Sequence, residues 1–402
     1  MPASASHPRR AFIWVACAFL ITMMGTTLPT PLYVFYQQEM GFGETWVTLI
    51  FSIYAAGVIA ALLVAGSWSD QLGRRPMLLV GIALSAISTV MFLFSHSIGG
   101  LMLARLFSGF SAGIYTGTAT VAVLELALAP EPWRNVSTLV ATASNMLGLG
   151  LGPLVAGILS TYLPYPTHLV FSLYLILLVV AAVGVLLAHE TVQRPAKPRL
   201  RIQKPHLPRE VRALFIPAAL SGMAGFSVAG LFTAVVPAIM GQVMGHTHGV
   251  TIGAVICLLF VSSIIGQALL KKLPAHLHMT IGCIALSLGT ATIGVSIATA
   301  QVGFLLLGTV IAGAGQGIVF RAGMNAVTGA SPREHKAAVT STLFVTYYVA
   351  MSVPVIGVGV SAEAFGLRQT GEFFAAVVTL VPLLAMVIMW VVQSRQRETG
   401  RA

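Results

Sequence analysis

About twelve long apolar runs dominate this sequence and restrict its fold more than any other feature does. A helix needs roughly 20 apolar residues to cross a hydrocarbon layer of about 30 Å, because lipid offers no hydrogen-bond partner to an unpaired backbone amide. The chain is 57% hydrophobic and 8% charged, whereas a soluble domain carries about 25% charged residues. The sequence therefore predicts an all-α integral membrane protein and excludes a water-soluble globular one. The predicted spans are 11–36, 45–67, 77–95, 98–128, 135–161, 167–188, 210–241, 249–271, 277–299, 301–329, 336–361 and 371–392.

The placement of the basic residues predicts a topology. Arg105 and Arg321 lie inside predicted spans, and Arg368 lies in a predicted outer loop. The other Lys and Arg residues fall in the termini and in loops on one side, so the positive-inside rule places both termini in the cytoplasm of a multi-pass inner (plasma) membrane protein. The net charge of +11 forms no continuous basic surface on a folded domain, so no nucleic-acid partner is expected.

The longest polar interruption divides the chain into two similar halves. We predict an N-terminal six-helix bundle over 1–189, a linker over 190–209 and a C-terminal bundle over 210–402. The halves resemble each other at a shift of about 200 residues, because LVGIALSAIST after Gly66 has a counterpart in TIGCIALSLGT after Gly266. Such a repeat is typical of transporters built from two related bundles.

A charged, glycine-containing loop joins the second and third spans. It carries Gly66, Asp70, Gly73, Arg74 and Arg75. This pattern resembles the GxxxDxxGRR signature of the major facilitator superfamily, whereas a cationic topology loop would explain the arginines without Asp70 or the glycine spacing. The resemblance implies two pseudo-symmetric six-helix bundles that work by alternating access. It also implies that Asp70 and Arg74 stabilise the outward-open state by bridging the halves on the cytoplasmic side, without touching substrate.

The fourth span begins with an intramembrane cation at the head of a glycine ladder, formed by Arg105, Gly109 and Gly113. It is similar to the family's fourth-helix arginine motif, which is linked to proton movement. The alternative is that Arg105 lies near the outer interface and extends its charge to water. At the other end of this span, Glu125 and Arg134 resemble the family's pattern of acid, proline and arginine, and we predict a gate salt bridge there.

The fifth span contains Gly148, Gly152, Pro153 and Gly157. They resemble the GxxxGPxxGG motif of the superfamily's antiporters, with Ala156 in place of the first glycine of the final pair. Packing of small residues would explain the glycines but not the Gly152-Pro153 pair. The resemblance favours export.

In this family the first, fourth, seventh and tenth helices line the substrate cavity. The polar residues that we expect there are Thr26, Thr30, Tyr33, Tyr115, Asn145, Gln316, Arg321, Asn325 and Tyr347. Each could instead make a hydrogen bond between helices. Arg321 could attract an anion or carboxylate, or it could pair with Glu125 or a helix C-terminus.

No Walker phosphate loop, nucleophile elbow or zinc-protease spacing occurs in the sequence, so no enzyme activity, metal or cofactor is expected. The resemblance favours a monomeric, proton-coupled exporter of drug-like or metabolite molecules in a lipid bilayer. The first span lacks the acid that drug exporters of this type often carry, so the coupling group could be Glu125, Asp70 or an arginine-tuned site, or transport could be uncoupled. Two alternatives stay open, an organic-anion or metabolite permease, which Arg105 and Arg321 favour, and a transporter-like sensor or scaffold without flux.

Overall fold

A computed structural model describes residues 6–127, 131–195, 197–198, 200, 202–332 and 334–398. The helices are α1 (Ser6–Thr27), α2 (Tyr33–Met40), α3 (Glu44–Ala65), α4 (Trp68–Leu72), α5 (Arg74–Phe94), α6 (Ile98–Leu126), α7 (Glu131–Tyr162), α8 (Pro166–Leu187), α9 (Arg212–Ala234), α10 (Val236–Ala238), α11 (Gly249–Leu269), α12 (His278–Thr299), α13 (Val302–Ala330), α14 (Lys336–Phe365) and α15 (Leu367–Glu398).

Within the described ranges, 12 helical segments are long and apolar enough to cross a membrane. This confirms the predicted all-α fold with twelve spans. The seventh span differs most in its bounds, since it ends at Ala234 and not at 241. The first span runs over Arg9–Met40 and is interrupted by a 3₁₀ turn over Thr30–Leu32. Pro29 and Pro31 explain the interruption, because proline has no N–H to continue the helical hydrogen bonds.

The chain divides into two compact units. Unit 1 comprises Met1–Gln203 with His248–Cys257, and unit 2 comprises Lys204–Thr247 with Leu258–Ala402. The first part of the predicted linker therefore belongs to unit 1. One reason is that the Gln203 amide donates a hydrogen bond of 2.7 Å to the Leu63 carbonyl.

In unit 1, glycines allow α6 to pack directly against α3. A Cβ added to Gly57 would lie 2.5 Å from the Leu106 carbonyl oxygen and 3.0 Å from the Gly109 Cα. One turn further along α6, a Cβ on Gly113 would lie 2.6 Å from the Ala61 Cβ. Only small residues permit such a close approach of two helix backbones. This contact fixes α6, which carries Arg105.

Unit 2 packs α13 against α11 in the same manner. A Cβ on Gly313 would lie 2.5 Å from the Leu259 carbonyl oxygen, and one on Gly317 would overlap the Ser263 carbonyl. Gly313 and Gly317 are four residues apart, as Gly109 and Gly113 are in α6. The internal repeat of the sequence thus corresponds to a repeated helix contact.

Candidate functional site

Arg74 is the centre of a charge network at the start of α5. Its Nη1 lies 2.6 Å from Asp70 Oδ1 and donates to Ser69 Oγ at 2.6 Å. Its Nη2 donates to Glu125 Oε1 at 3.0 Å. Arg74 is 8% exposed, and the Glu125 side chain is 29% exposed, so this pair is partly shielded from solvent. The Asp70 side chain is 59% exposed, and its pair with Arg74 resembles a surface pair. One arginine thereby joins α4, α5 and the end of α6.

The Glu190 carboxylate, which follows α8, caps the first turn of α5. Its Oε1 accepts from the Arg74 amide at 2.8 Å, and its Oε2 accepts from the Arg75 amide at 3.2 Å. Arg194 Nη2 lies 3.3 Å from Oε2. The first amides of a helix have no partner within the helix, and a carboxylate both accepts from them and is favoured by the helix dipole.

Both glycines of the loop motif contact this segment. Gly73 has φ +102 and ψ 152, a conformation that essentially only glycine adopts, and a Cβ there would lie 2.9 Å from the Glu190 Cδ. A Cβ on Gly66 would lie 3.0 Å from Gln203 Oε1. The glycine spacing therefore leaves room for the two ends of the 190–203 segment.

Glu125 has a second partner in the same segment, because Thr191 Oγ1 donates to its Oε2 at 2.5 Å. The Arg134 side chain is outside the described residues, and so is the predicted salt bridge between Glu125 and Arg134. Arg75 turns away from this acid, and its Nη2 donates to the Leu186 carbonyl. Among the described residues, the ion pair of Glu125 is with Arg74.

Arg105 lies inside unit 1 and is 0% exposed. Its Nε donates to the Tyr33 hydroxyl at 2.5 Å, and its Nη1 donates to the Thr26 carbonyl at 2.6 Å. The alternative that Arg105 extends to water does not apply to this conformation, because the packing of α6 against the first span covers the guanidinium. Two of the predicted polar residues of the first span thus bind the fourth-helix arginine.

The fifth-helix motif is a contact surface for two other helices. A Cβ on Gly148 would lie 2.5 Å from the Met23 Cβ in α1, and one on Gly152 would lie 2.5 Å from Thr27 Oγ1. On the other side, a Cβ on Gly253 in α11 would lie 2.8 Å from the Leu154 Cα. Gly157 approaches α11 too, since a Cβ there would lie 2.7 Å from the carbonyl carbon of Gly249.

Pro153 has a specific partner in α1. Because proline has no N–H, the carbonyl four residues earlier, that of Leu149, has no helical donor. Thr27 Oγ1 donates a hydrogen bond of 2.7 Å to that carbonyl. Thr27 is therefore the partner of the carbonyl that the motif leaves free. Pro153 is the sequence signal that predicts this free carbonyl, because a proline always frees the carbonyl at position i−4.

In unit 2, the predicted polar residues have different surroundings. Gln316 Oε1 accepts from Ser263 Oγ at 2.6 Å, which links α13 to α11. Tyr347 is 0% exposed, and its hydroxyl donates to the Ala218 carbonyl at 3.2 Å. Arg321 is half-buried, and no hydrogen bond or ion pair joins it to any residue that the structure describes.

The remaining candidates do not form one cluster. Tyr115 is 0% exposed and lies against Phe19 with 6.0 Å between ring centroids. Asn145 is half-buried in α7, and Asn325 is exposed in α13. Tyr115 and Tyr347 thus contribute to helix packing, whereas Arg321, Asn145 and Asn325 retain accessible polar atoms.

Sequence reasoning missed Glu190, Thr191 and Gln203, because their segment reads as a solvated connector. The signal in the sequence was an uncapped α5 terminus, whose first amides need an acceptor. Which acid supplies that acceptor depends on the path of the chain after α8, and no local pattern encodes that path.

A comparison with family models matches residues 15–355 to the model described as Major Facilitator Superfamily. The chain is 28% identical over 179 residues to the "Multidrug transporter MdfA" of Edwardsiella ictaluri, covering 44% of this chain and 43% of that protein. It is 24% identical over 152 residues to the "Quinolone resistance protein NorA" of Staphylococcus aureus, covering 38% of each. It is 27% identical over 148 residues, 37% of each chain, to an MFS-type transporter of Methanocaldococcus jannaschii.

These alignments thus span less than half the length of each curated relative. Among solved structures, the fold is similar to that of a mutant of a peptide transporter POT in complex with sulfate, with a TM-score of 0.77 and 14% identity over 96% of this chain and 94% of that one. A POT family transporter in complex with a thioalcohol-conjugated peptide gives a TM-score of 0.75 with 16% identity over 96% of each chain. At such identities the likeness concerns the fold alone. The match over 15–355, together with the twelve apolar helices of the described ranges, shows that this chain belongs to the major facilitator superfamily of transporters and is a multi-pass membrane protein.

Proposed function

We propose that this protein exports drug-like or metabolite molecules in exchange for protons, by alternating access. It acts as a monomer in the inner (plasma) membrane with both termini in the cytoplasm. The observation that carries the proposal is the built contact at Gly152 and Pro153, where Thr27 binds the carbonyl that the proline frees. Generic glycine packing would need neither the proline nor its partner. Two relatives are a multidrug transporter, MdfA, and a quinolone resistance protein, NorA, and this supports a drug-like solute.

The Arg74 network, formed by Arg74, Asp70 and Glu125, is the gate of this transport cycle. Arg74 holds two carboxylates from different elements of unit 1, Asp70 and Glu125, so the network sets the position of α4 and of the end of α6 relative to α5. Ion pairs that differ in strength between two states bias the equilibrium between them. The resemblance of the loop to the family signature favours the outward-open state as the one that Asp70 and Arg74 stabilise, without contact to the solute.

The coupling proton binds at the same network. The 11 acidic residues of the chain include none in the middle of the first span, where drug exporters of this type often carry one. Glu125, at the end of α6, is shared between Arg74 and Thr191. Protonation of Glu125 or Asp70 would remove one bond to Arg74 and so weaken the gate.

Transport into energised inverted membrane vesicles tests the proposal. Vesicles containing the wild-type chain should accumulate a lipophilic cationic dye, and an uncoupler should abolish the accumulation. Vesicles containing Asp70→Asn are the matched control for passive dye binding. Accumulation that persists with the uncoupler would contradict proton coupling.

A second candidate function is uptake or exchange of organic anions. It is favoured by Arg105 and Arg321, neither of which forms an ion pair with any described carboxylate. Counterflow of labelled benzoate in proteoliposomes distinguishes the two functions. Counterflow of benzoate without any of the cationic dye would favour the permease.

A further inference from the structure

Arg105 carries a buried positive charge that no carboxylate neutralises within the described part of the chain. Its side chain is 0% exposed. The ion pairs of the described residues involve Arg74, Arg194, Arg368 and two histidines, and none involves Arg105. Burying an unpaired ion costs several kcal/mol even after the protein relaxes. Unit 1 therefore holds a cation whose counter-ion must come from elsewhere.

The hydrogen-bond donors around this charge exceed the acceptors. Nε and Nη1 of Arg105 are bound by Tyr33 and Thr26, but its Nη2 is buried without a partner. The Tyr33 hydroxyl accepts from Nε, so its own proton has no acceptor among the described residues. Thr30 Oγ1 is also buried without a partner. An anion is the ligand that satisfies such a set of donors.

Two parts of the first span reach the charge. The 3₁₀ turn over Thr30–Leu32 separates Thr26 in α1 from Tyr33 at the start of α2. Thr26 accepts from Arg105 through its backbone carbonyl, and Tyr33 accepts through its hydroxyl. Arg105 is thus held where the first span is interrupted.

Aromatic rings form the rest of the surroundings. The Arg105 Cζ lies 5.3 Å from the ring centroid of Tyr33, 5.9 Å from that of Phe51 and 5.7 Å from that of Phe92. Ring faces attract a cation but accept no strong hydrogen bond. They also exclude water, and this strengthens any interaction between the guanidinium and an anion.

We propose that Arg105 and Tyr33 form a binding site for a small monovalent anion. Arg105 Nη2 and the Tyr33 hydroxyl donate to the anion. The anion is either a free halide ion or the carboxylate of a transported solute, since both offer one negative charge that accepts hydrogen bonds. Because the guanidinium is covered in this conformation, the anion enters as neighbouring side chains move. The site goes beyond the proposed proton-linked export.

Thermal unfolding of the purified full-length protein tests the site without any transport assay. Sodium bromide replaces sodium HEPES at constant ionic strength, and the melting temperature is measured at each bromide concentration. The wild-type protein should show a saturable rise, because a ligand that binds the folded state stabilises it. Arg105→Gln should abolish the rise.

Tyr33→Phe keeps the ring and removes the hydroxyl, which is the proposed donor to the anion and also the acceptor that orients Arg105 Nε. The bromide midpoint should therefore increase about tenfold, which corresponds to about 1.4 kcal/mol. Tyr36→Phe is the matched control, because the Tyr36 hydroxyl already donates to the Phe92 carbonyl at 2.8 Å. Its bromide midpoint should equal that of the wild type. If Arg105→Gln does not fold, the two tyrosine variants decide the question.

A parallel titration with sodium benzoate separates the two sources of the anion. A rise with bromide that depends on Tyr33 assigns the site to a free halide. A rise with benzoate alone that depends on Tyr33 assigns it to a solute carboxylate. Flat curves with both salts in the wild type, or equal midpoints for Tyr33→Phe and wild type, would overturn the site. Either result leaves export unaffected, because dye accumulation is measured separately.

Discussion

The backbone amide of Arg74 donates a hydrogen bond of 2.8 Å to Glu190, an acid 116 positions further along the chain. The guanidinium of the same arginine binds Asp70 and Glu125. Residue 74 is therefore held through both its main chain and its side chain. The segment that follows α8 is therefore part of the Arg74 network, and substitutions in it should affect that network.

Glu190→Gln should lower stability, because the neutral amide caps the α5 amides less strongly than the carboxylate does. We expect a loss of about 0.5–2 kcal/mol, the usual range for a helix cap. The melting temperature of the purified protein measures it. Glu210→Gln is the control, since Glu210 is exposed in the short turn before α9 and should leave the melting temperature unchanged. Equal melting temperatures for Glu190→Gln and wild type would show that the cap contributes nothing.

Gly73→Ala should lower the stability of the protein more than Gly41→Ala, another substitution at a positive φ. Residues other than glycine rarely adopt the backbone conformation of Gly73, and forcing one into it costs about 1–3 kcal/mol. The added Cβ would also displace the Glu190 carboxylate. Gly41 is the matched control, with φ +70 and nothing within 4 Å of an added Cβ. The melting temperature should fall further for Gly73→Ala than for Gly41→Ala. The reverse order would contradict the crowding at Gly73.

The helices and the charged loop could be predicted from the sequence because each depends on residues that are close together along the chain. Apolar runs set the twelve spans, and the pattern of Asp70, Gly73 and Arg74 marked the loop. Glu190 and Gln203 could not be predicted, since their partners lie more than 100 residues away and depend on how α8 returns to α5. The burial of single side chains could not be predicted from the sequence either. Tyr115 and Tyr347 are therefore expected in a cavity from the sequence, whereas the structure packs them between helices.

Thr27→Val should weaken the contact between α1 and α7. Valine keeps the shape of threonine but cannot donate to the Leu149 carbonyl, and an unpaired buried acceptor costs about 1–3 kcal/mol. Thr120→Val is the control, because Thr120 donates only within its own helix, to the Thr116 carbonyl at 2.7 Å. We expect a lower melting temperature and slower dye transport for Thr27→Val than for Thr120→Val. Indistinguishable variants would remove Thr27 from the motif.

Arg321→Ala should weaken the binding of acidic ligands selectively. The half-buried guanidinium forms no ion pair with any described residue, so it is available to a carboxylate. Ligand-induced shifts in melting temperature should shrink for benzoate and persist for the cationic dye. Arg368→Ala is the control, since Arg368 is paired with Glu372 at 3.2 Å. Equal losses for the acidic and cationic ligands would rule out an anion preference at Arg321.

Asp70→Asn should stop the transport cycle while leaving ligand binding measurable. The substitution removes one of the two carboxylates that grip Arg74, so it shifts the equilibrium between the two states without touching a solute site. Dye binding to the purified variant should match that of the wild type. Unchanged transport rates in this variant would remove Asp70 from the gate.

The exchange of solute for protons is tested most directly by proton movement itself. In energised inverted vesicles loaded with a pH-sensitive dye, addition of the cationic solute should release protons from the lumen at once. We predict this release for the wild type and its loss in Asp70→Asn vesicles that hold the same pH gradient. A wild-type chain that transports the solute without any proton release would contradict the account.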